Sequence, residues 1–450
     1  MPSDLSKDQV KKSLKASILD GSSYAAMQGL TQNYVTPFAL IMKATTAQIG
    51  LLTSIPNGMM SIAQLFAPMF SERIGSRKGL IMLMAFFHAL MWIPILLIPF
   101  IFSTDQVMWL ITFMTISTMF DATTQPVWGS MMADLVSEDI RGRYFGNRNR
   151  ISGLVAGVFS YVAAGILQIL TGNPQLAFAI IFVGATIARL SSLFFISRMV
   201  EPTFKNVIKK GHTSLWAIGK TLTSTNVGKF IIYCAFFNFS VMLSGPFFSP
   251  YMLRELKFNY VIYSIINSAS GLATIAFMSW WGKRTDKAGN IRILRITSFL
   301  VPFVPIAWVI SQNLAWLIFA QVFSGFAWAG FQLASSLFIY DASPQDNRTR
   351  YIAIYNALSF LGFSAGSLAG GLVLPMLPQI NSSSYLSMFL LSGIVRMIIV
   401  LLFIMQLKEV RQVAAYSTSA LFLDDVNPSK LKSLGRKITK NMSKFVNRKK

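Results

Sequence analysis

The strongest constraint in this sequence is a series of long apolar runs separated by short polar stretches. A helix needs about 20 largely apolar residues to cross the hydrocarbon core of a bilayer. Only 13% of the residues are charged, against roughly a quarter in a typical soluble domain. The sequence therefore predicts an all-α membrane protein with twelve transmembrane helices, in the windows 18–42, 47–71, 79–102, 107–134, 146–171, 176–199, 228–252, 259–282, 291–311, 314–340, 351–375 and 383–407.

Positive charge is concentrated in alternate loops between these windows. The opposite loops carry only Lys43, Arg254 and Lys257. Because basic residues favour the cytoplasmic side, both termini are predicted to be cytoplasmic, which requires an even number of spans. The net charge of +23 is thus explained by membrane topology, and we expect no nucleic-acid partner.

The two halves of the chain repeat each other at an offset of 207 residues. Asp341 matches Asp134, Arg348 matches Arg141 and Gln332 matches Gln125. Internal repeats are typical of secondary transporters, which bind their substrate between the repeats. We therefore predict two pseudo-symmetric six-helix bundles at residues 1–199 and 228–407, a cytoplasmic linker at 200–227 and a cytoplasmic tail at 408–450.

The tail is polar and basic from about residue 429 onward. Its apolar residues recur every three or four positions, at Leu431, Leu434, Ile438, Met442 and Phe445. This pattern predicts an amphipathic basic helix on the anionic inner leaflet of the membrane. A disordered, solubilising segment is the alternative.

Two cytoplasmic loops carry related motifs. PMFSERIGSRK (residues 68–78) follows the second window, and GKRTDKAGNIR (residues 282–292) follows the eighth. Both resemble the signature loop of the major facilitator superfamily (MFS), although Pro68 and Glu72 depart from its leading glycine and its aspartate. The resemblance implies a secondary transporter whose halves rock about a central cavity lined mainly by spans 1, 4, 7 and 10.

The same resemblance implies a conformational latch at the cytoplasmic side, in which loop charges pair with the ends of spans 4 and 10. Charge pairs at a mobile seam can differ between two states and so bias their populations. The alternative is that these charges only set topology. The predicted latch residues are Glu72, Arg73, Arg77, Asp134, Arg141, Asp286, Lys287, Arg292, Asp341 and Arg348.

Asp121 is the main candidate for a substrate or coupling site. It lies thirteen residues before Asp134, about 20 Å along a helix, near the middle of span 4. Gln125 and Trp128 share its face. Burial favours the protonated form of a carboxyl group, so Asp121 could carry a coupling proton; it could also bind a cationic substrate group, or pair with an arginine for packing alone. In the repeat, Gln332 matches Gln125, but Trp328 stands where Asp121 would be.

Other polar residues fall inside the windows. Gln28, Gln32 and Asn33 in span 1 and Asn238 in span 7 are candidates for hydrogen bonds to a polar ligand, or between helices. Arg189 and Arg396 match in the repeat; we expect a shared structural role rather than substrate binding. Asp20 is interpreted as a latch or helix-end charge, and His88 as a packed neutral imidazole.

The sequence carries no pattern of an enzyme or of a metal site: it has one cysteine, two distant histidines, no HExxH motif and no P-loop. We expect no cofactor and no enzyme activity. The predicted function is alternating-access transport of a small solute by a monomer in the plasma (inner) membrane, with protons as a possible second partner. The alternatives are a lipid or lysolipid flippase and a non-transporting receptor.

Overall fold

The computed structural model describes residues 6–202, 222–344 and 348–410. Most of the predicted linker and almost all of the predicted tail, including its amphipathic helix, lie outside these residues. The described chain forms twelve helical segments, which we number in order. Segments 1–6 form the first half and segments 7–12 the second half.

The segments of the first half are Lys7–Thr31 with its continuation Val35–Ile41 (segment 1), Thr46–Ile74, Arg77–Ile101, Gln106–Leu135, Glu138–Ile169 and Pro174–Ser197. Those of the second half are Asn226–Glu255 (segment 7), Tyr260–Ala288, Asn290–Ile310, Leu314–Ala342, Arg348–Val373 and Ser384–Phe403. Most ends lie within a few residues of the predicted windows. Two helices extend beyond their predicted spans. Segment 1 begins eleven residues before residue 18, and segment 5 begins eight residues before residue 146, although its apolar span starts at Arg143.

Nine segments of the described chain are long and apolar enough to cross a membrane by length and composition alone, namely segment 3 and segments 5–12. Segments 1, 2 and 4 do not reach that threshold. Polar residues lower the hydropathy of segments 1 and 4, among them Gln28 in the former and Asp121 and Gln125 in the latter. The all-α membrane fold is confirmed, and the helical segments are consistent with the predicted twelve.

Local chemistry explains where several segments begin and break. Side chains that accept a backbone hydrogen bond cap segments 3, 6 and 8, from Ser76, Asn173 and Asn259 respectively. Such caps satisfy N–H groups that have no partner inside the helix. Pro246 interrupts segment 7, which continues as a 3₁₀ turn and then as a π-helical turn at Tyr251–Glu255.

The two halves share one packing scheme. Segment 1 packs against 5 and 6, segment 2 against 4, and segment 3 against 4 and 6. Adding six to each number reproduces the second half, in which segment 7 packs against 11 and 12, segment 8 against 10, and segment 9 against 10 and 12. The halves meet where segment 2 packs against 11 and segment 5 against 8.

Hydrogen bonds join the halves at the end of the molecule opposite the basic loops. We call the two ends the basic end and the non-basic end. Tyr34 Oη lies 2.7 Å from Ser264 Oγ of the second half, and Tyr263 Oη donates to Asn33 O of the first half at 2.7 Å. Within the first half, Tyr34 Oη also donates to Ser160 O at 2.5 Å. Arg254 donates to Ala44 O at 2.7 Å. The described contacts therefore close the molecule at its non-basic end.

Large apolar side chains cover much of the outer surface. Ile169, Phe100, Leu154, Leu272 and Ile275 are each at least 60% exposed. An exposed apolar surface of this extent is unfavourable in water but matches hydrocarbon. The interior holds the tightly packed aromatic side chains instead, such as Phe38, Phe178 and Phe182.

Candidate functional site

Asp121 lies in a polar cluster within the first half. Its Oδ2 accepts a hydrogen bond from Tyr24 Oη at 2.8 Å, and Gln28 Nε2 donates to the same Tyr24 oxygen at 3.1 Å. Its Oδ1 lies 3.5 Å from His88 Nδ1 and 3.6 Å from an Nη atom of Arg189. Both distances exceed a good hydrogen bond, and Oδ1 has no hydrogen-bond partner in the described chain. One partly buried carboxylate, 18% exposed, thus faces a tyrosine, a histidine and an arginine from three other segments.

Arg189 connects this carboxylate to a second one. Its Nε donates to His88 Nδ1 at 3.2 Å and its Nη1 to Ser192 Oγ at 3.0 Å; Ser192 in turn donates to Asp20 Oδ1 at 2.7 Å. The guanidinium also stacks on the Tyr24 ring at 4.7 Å. Asp121 and Asp20 are therefore linked by a chain of polar contacts across segments 4, 6 and 1.

Arg148 is the second cation of the cluster. Its Nε donates to Ser17 O at 3.1 Å, one Nη lies 3.5 Å from Asp20 Oδ2, and its guanidinium lies 4.3 Å from the centre of the Trp128 ring. A Cβ at Gly21 would lie 2.7 Å from the guanidinium carbon. The bare glycine thus lets the arginine lie directly against the backbone of segment 1.

These groups enclose a cavity of about 100 Å³. Its wall combines charged, polar and aromatic groups with two apolar side chains near the basic end: Asp20, Tyr24, Ile81, Thr124, Gln125, Trp128, Arg148, Arg189 and Ile196. Ile196 lies one residue before the end of segment 6 and Ile81 four residues after the start of segment 3. The cavity therefore lies in the part of the first half towards the basic end.

The structure divides the predicted binding residues into separate groups. Asp121, Gln28, Gln125 and Trp128 lie in or beside the cavity. Gln32 is exposed near the break of segment 1, and Asn33 takes part in the contacts of the non-basic end through its carbonyl. In the second half, Asn238 is buried, Gln332 is exposed, and Trp328 packs near Phe237 and Phe331.

One interpretation from the sequence is corrected. Asp20, assigned to a latch or a helix end, is 4% exposed and lines the cavity. His88 is a packed imidazole, as interpreted, at 5% exposure, but its neighbours include the polar groups of Arg189 and Asp121. Neither set of partners could be read from the sequence, because the partners lie on other segments.

Tyr24 and Arg148 were missed entirely. Arg148 lies two residues inside the predicted window of segment 5, which begins at residue 146, and it was grouped with the basic residues of the preceding loop rather than with the site. Segment 5 begins at Glu138 instead, so Arg148 lies about three turns inside a helix. The absence of proline between Glu138 and Arg148 was the signal that could have found it.

Arg189 and Arg396 occupy different surroundings despite their match in the repeat. Arg396 is 3% exposed and donates to Val241 O at 3.2 Å, Ser244 Oγ at 3.0 Å and Val301 O at 3.4 Å. These acceptors hold segment 12 against segments 7 and 9. Arg189 has a carboxylate neighbour where Arg396 has uncharged acceptors, so the two arginines do not share one environment.

A charged cluster lies at the basic end of the first half. Arg77 Nη1 lies 2.6 Å from Asp134 Oδ2, and its Nε lies 3.6 Å from Glu201 Oε1. Glu201 also accepts from Ser76 Oγ and from the backbone N–H groups of Arg77 and Lys78. The glutamate thus caps the start of segment 3, where a negative charge is favourable.

The second half repeats this arrangement with different residues. Asn290 donates to Asp341 at 2.6 Å, and Glu409 accepts from the backbone N–H of Ile291 at 2.7 Å. Glu201 and Glu409 were missed because each lies after the last helix of its half.

Of the other predicted latch residues, Arg73, Asp286 and Lys287 are exposed and Arg292 is partly buried; the side chains of Glu72, Arg141 and Arg348 lie outside the described part.

The fold and the buried charged cavity define a polytopic helical membrane protein with a polar site inside one bundle. The sequence matches the Major Facilitator Superfamily over residues 21–301 and again over residues 230–439. The chain belongs to the Major Facilitator Superfamily, so the resemblance drawn from its loop motifs is confirmed. A search for similar sequences among curated proteins finds no match.

Solved transporter structures share the fold. A point mutant of the nucleoside transporter NupG aligns with a TM-score of 0.73 at 14% identity, over 88% of this chain and 100% of that one. The D-xylose–proton symporter gives 0.67 at 13%, over 90% and 99%. An inward-facing bacterial homologue of the human lysosomal transporter Spinster gives 0.64 at 14%, over 89% and 97%. At these identities the likeness shows the fold of MFS transporters and nothing about substrate.

Proposed function

We propose that this protein is a secondary active transporter, not an enzyme, which moves a small solute by alternating access. We further propose that Asp121 carries the coupling proton. The observation that supports the coupling role is the position of Asp121 between Arg189, His88 and Tyr24 inside a membrane-spanning bundle. An ionisable group at such depth is costly and usually functional.

The contacts between the halves support alternating access. The described hydrogen bonds close the non-basic end through Tyr34, Tyr263 and Arg254, while the cavity lies towards the basic end. If the basic end faces the cytoplasm, a molecule that is closed at the non-basic end and has its cavity towards the basic end has the form of an inward-facing state. We propose that the opposite state opens the non-basic end. Charged groups of the first-half cluster around Arg77–Asp134 and of the second-half cluster around Asn290–Asp341 then pair across the basic end as the latch.

Proton coupling is tested in liposomes that contain the full-length protein and a pH indicator. A panel of sugars, nucleosides, amino acids, organic ions and lysolipids is added with and without a proton gradient. Wild type should move protons with one class of solute and accumulate that solute. Asp121→Asn should lose accumulation driven by the gradient, because an amide cannot take up the proton.

Asp105→Asn is the matched control, because Asp105 is exposed next to the start of the same segment. This variant should transport as wild type does. The coupling proposal fails if Asp121→Asn accumulates the solute against its gradient as well as wild type. The transport proposal itself fails if no solute in any class crosses faster than through protein-free liposomes.

We propose that the basic end faces the cytoplasm, as the distribution of positive charge indicates. Cysteines introduced singly at Ser6 and at Ser382, in a Cys234→Ala background, test this orientation in intact cells. A membrane-impermeant maleimide should label the cysteine at position 382 and not the one at position 6; the reverse result would invert the topology. The plasma (inner) membrane location, the monomeric state and the lipid contact of the tail stay predictions from the sequence.

A further inference from the structure

The cavity of the first half presents unused hydrogen-bond donors. Arg148 has five N–H groups, but in the described chain only its Nε makes a hydrogen bond, to Ser17 O, while Asp20 lies at 3.5 Å. Trp128 Nε1 is buried and has no hydrogen-bond partner in the same residues. Both donors belong to side chains that line the cavity, and a buried donor without a partner is costly.

The acceptors at this site are largely covered. The Asp20 side chain is 5% exposed, and its Oδ1 already accepts from Ser192. The Asp121 side chain is 18% exposed, but it is not part of the cavity wall, and its Oδ2 accepts from Tyr24. Among the charged side chains of the wall, Arg148 is the most exposed, at 14%, against 5% for Asp20 and 4% for Arg189. A ligand that enters the cavity therefore meets the Arg148 guanidinium before it meets the Asp20 carboxylate.

We infer that the substrate carries an anionic group, a carboxylate or a phosphate, which binds Arg148 and the Trp128 indole N–H in this cavity. Arginine matches both groups because its guanidinium can donate two parallel hydrogen bonds. A cavity of about 100 Å³ has room for such a group. The remainder of the substrate extends past Gln125, which is exposed at the rim.

Charge balance supports an anion, and this step rests on the proposed function. Asp20, Asp121, Arg148 and Arg189 together carry two negative and two positive charges. A monoanion alone would leave the buried site with one excess negative charge, which is unfavourable inside a membrane. A proton on Asp121 removes that excess, so one proton and one monoanion together keep the site neutral. A phosphate monoester, with close to two negative charges at pH 7, meets the same balance when it binds in its singly protonated form.

The close approach of Arg148 to Gly21 also supports the binding of an anion by Arg148. A Cβ at this position would lie 2.7 Å from the Arg148 guanidinium carbon and from one Nη atom. The arginine can occupy its place only because segment 1 has no side chain there. Gly21→Ala therefore moves Arg148 without removing its charge. The variant tests whether anion binding needs the guanidinium in this position or only a positive charge nearby.

The test measures thermal unfolding of the full-length protein in nanodiscs with matched pairs of probes. The pairs are lactate and lactamide, benzoate and benzamide, and glycerol 3-phosphate and glycerol, with choline as the cation. A ligand that binds only the folded protein raises its apparent stability. We expect at least one anion to stabilise wild type more than its neutral partner and more than choline.

Substitutions in the cavity wall test whether the stabilising anion binds there. Arg148→Gln should weaken binding of that anion about tenfold or more, since a charge-assisted hydrogen bond is lost. Trp128→Phe keeps the ring but removes the N–H donor and should weaken it several-fold, as should Gly21→Ala. Arg150→Gln and Gly157→Ala are the controls and should bind as wild type does, because Arg150 is exposed and nothing lies close to Gly157.

The inference is overturned if no anion stabilises the protein more than its neutral partner, or if Arg148→Gln and Gly21→Ala both keep the preference unchanged. Its failure can be told apart from failure of the transport proposal. Proton-driven uptake of a neutral or cationic solute would keep the transporter and discard the anion site. Selective anion binding without uptake driven by a proton gradient would keep the site and discard the coupling.

Discussion

Asp121 and Arg189 lie at the centre of a network in which each charged group has more than one partner. Asp121 faces Tyr24, His88 and Arg189, and Arg189 faces His88 and Ser192 as well. Charges this deep in a bundle persist when polar neighbours replace the water they have lost. The network also makes Asp121 and Arg189 interdependent, because removing one of them leaves the charge of the other without its oppositely charged neighbour.

A double-mutant cycle measures this interdependence. Arg189→Gln leaves the Asp121 carboxylate without its cation and should lower the free energy of unfolding by about 3 kcal/mol. Adding Asp121→Asn should recover part of that loss, with a coupling free energy of about 1 kcal/mol or more. The measurement is denaturant-induced unfolding in mixed micelles. Additive effects of the two changes, within about 0.5 kcal/mol, would show that the residues do not interact.

At the scale of elements, close helix packing depends on small residues at regular spacing. Gly362, Gly366 and Gly370 lie four residues apart on segment 11, where ideal Cβ atoms would lie 2.1–2.3 Å from carbonyl oxygens of segment 7. Small residues of this kind let two backbones approach in a membrane, where apolar contacts with lipid are no weaker than contacts between helices. The pair of segments 7 and 11 is thus held by backbone proximity.

Gly366→Ala tests this packing directly. The new Cβ would lie 2.1 Å from Phe239 O, so segment 11 must move away, and we expect a loss of stability of about 1–3 kcal/mol. Gly165→Ala is the matched control because no atom of another residue lies within 4 Å of its ideal Cβ. Unfolding in mixed micelles should separate the two variants, and equal stabilities would argue against close packing.

At the scale of the whole molecule, two tyrosines link the halves at the non-basic end. Tyr34 contacts Ser264 and Tyr263 contacts Asn33, each through a phenolic hydroxyl. The aromatic rings themselves meet with centroids 6.4 Å apart. Opening this end requires that both hydrogen bonds break, so the hydroxyls favour the closed arrangement.

The variant Tyr34→Phe/Tyr263→Phe removes both hydroxyls but keeps the rings. We expect the ratio of molecules open at the non-basic end to closed ones to increase by a factor of about 30, since each of the two lost hydrogen bonds contributes about 1 kcal/mol. Spin labels on cysteines at Lys43 and Lys257, in a Cys234→Ala background, report the separation of the halves by pulsed electron resonance. A distance distribution identical to that of the same labels without the Phe changes would contradict a gating role.

Much of the fold follows from patterns that are local in the sequence. Apolar length determined the helical segments, the charge of the loops indicated their alternation, and the offset between Asp134 and Asp341 revealed the repeat. Each signal depends only on residues near one another or on a comparison of two stretches. The family could be recognised from the sequence for the same reason, because each copy of its motif lies within one loop.

The site depended on tertiary structure. Asp121 was identified because a charge is costly in a membrane. Its neighbours Tyr24, His88 and Arg189 come from three other segments, and no local pattern tells which faces meet. The repeat matched Arg189 with Arg396, although in the described residues Arg189 faces a carboxylate and Arg396 faces uncharged acceptors. Helix formation and membrane insertion are decided by the chain's own residues and by lipid. Tertiary packing decides which groups come within a few ångströms of a buried charge and stabilise it. The cavity and the charged groups around it therefore form only in the folded protein.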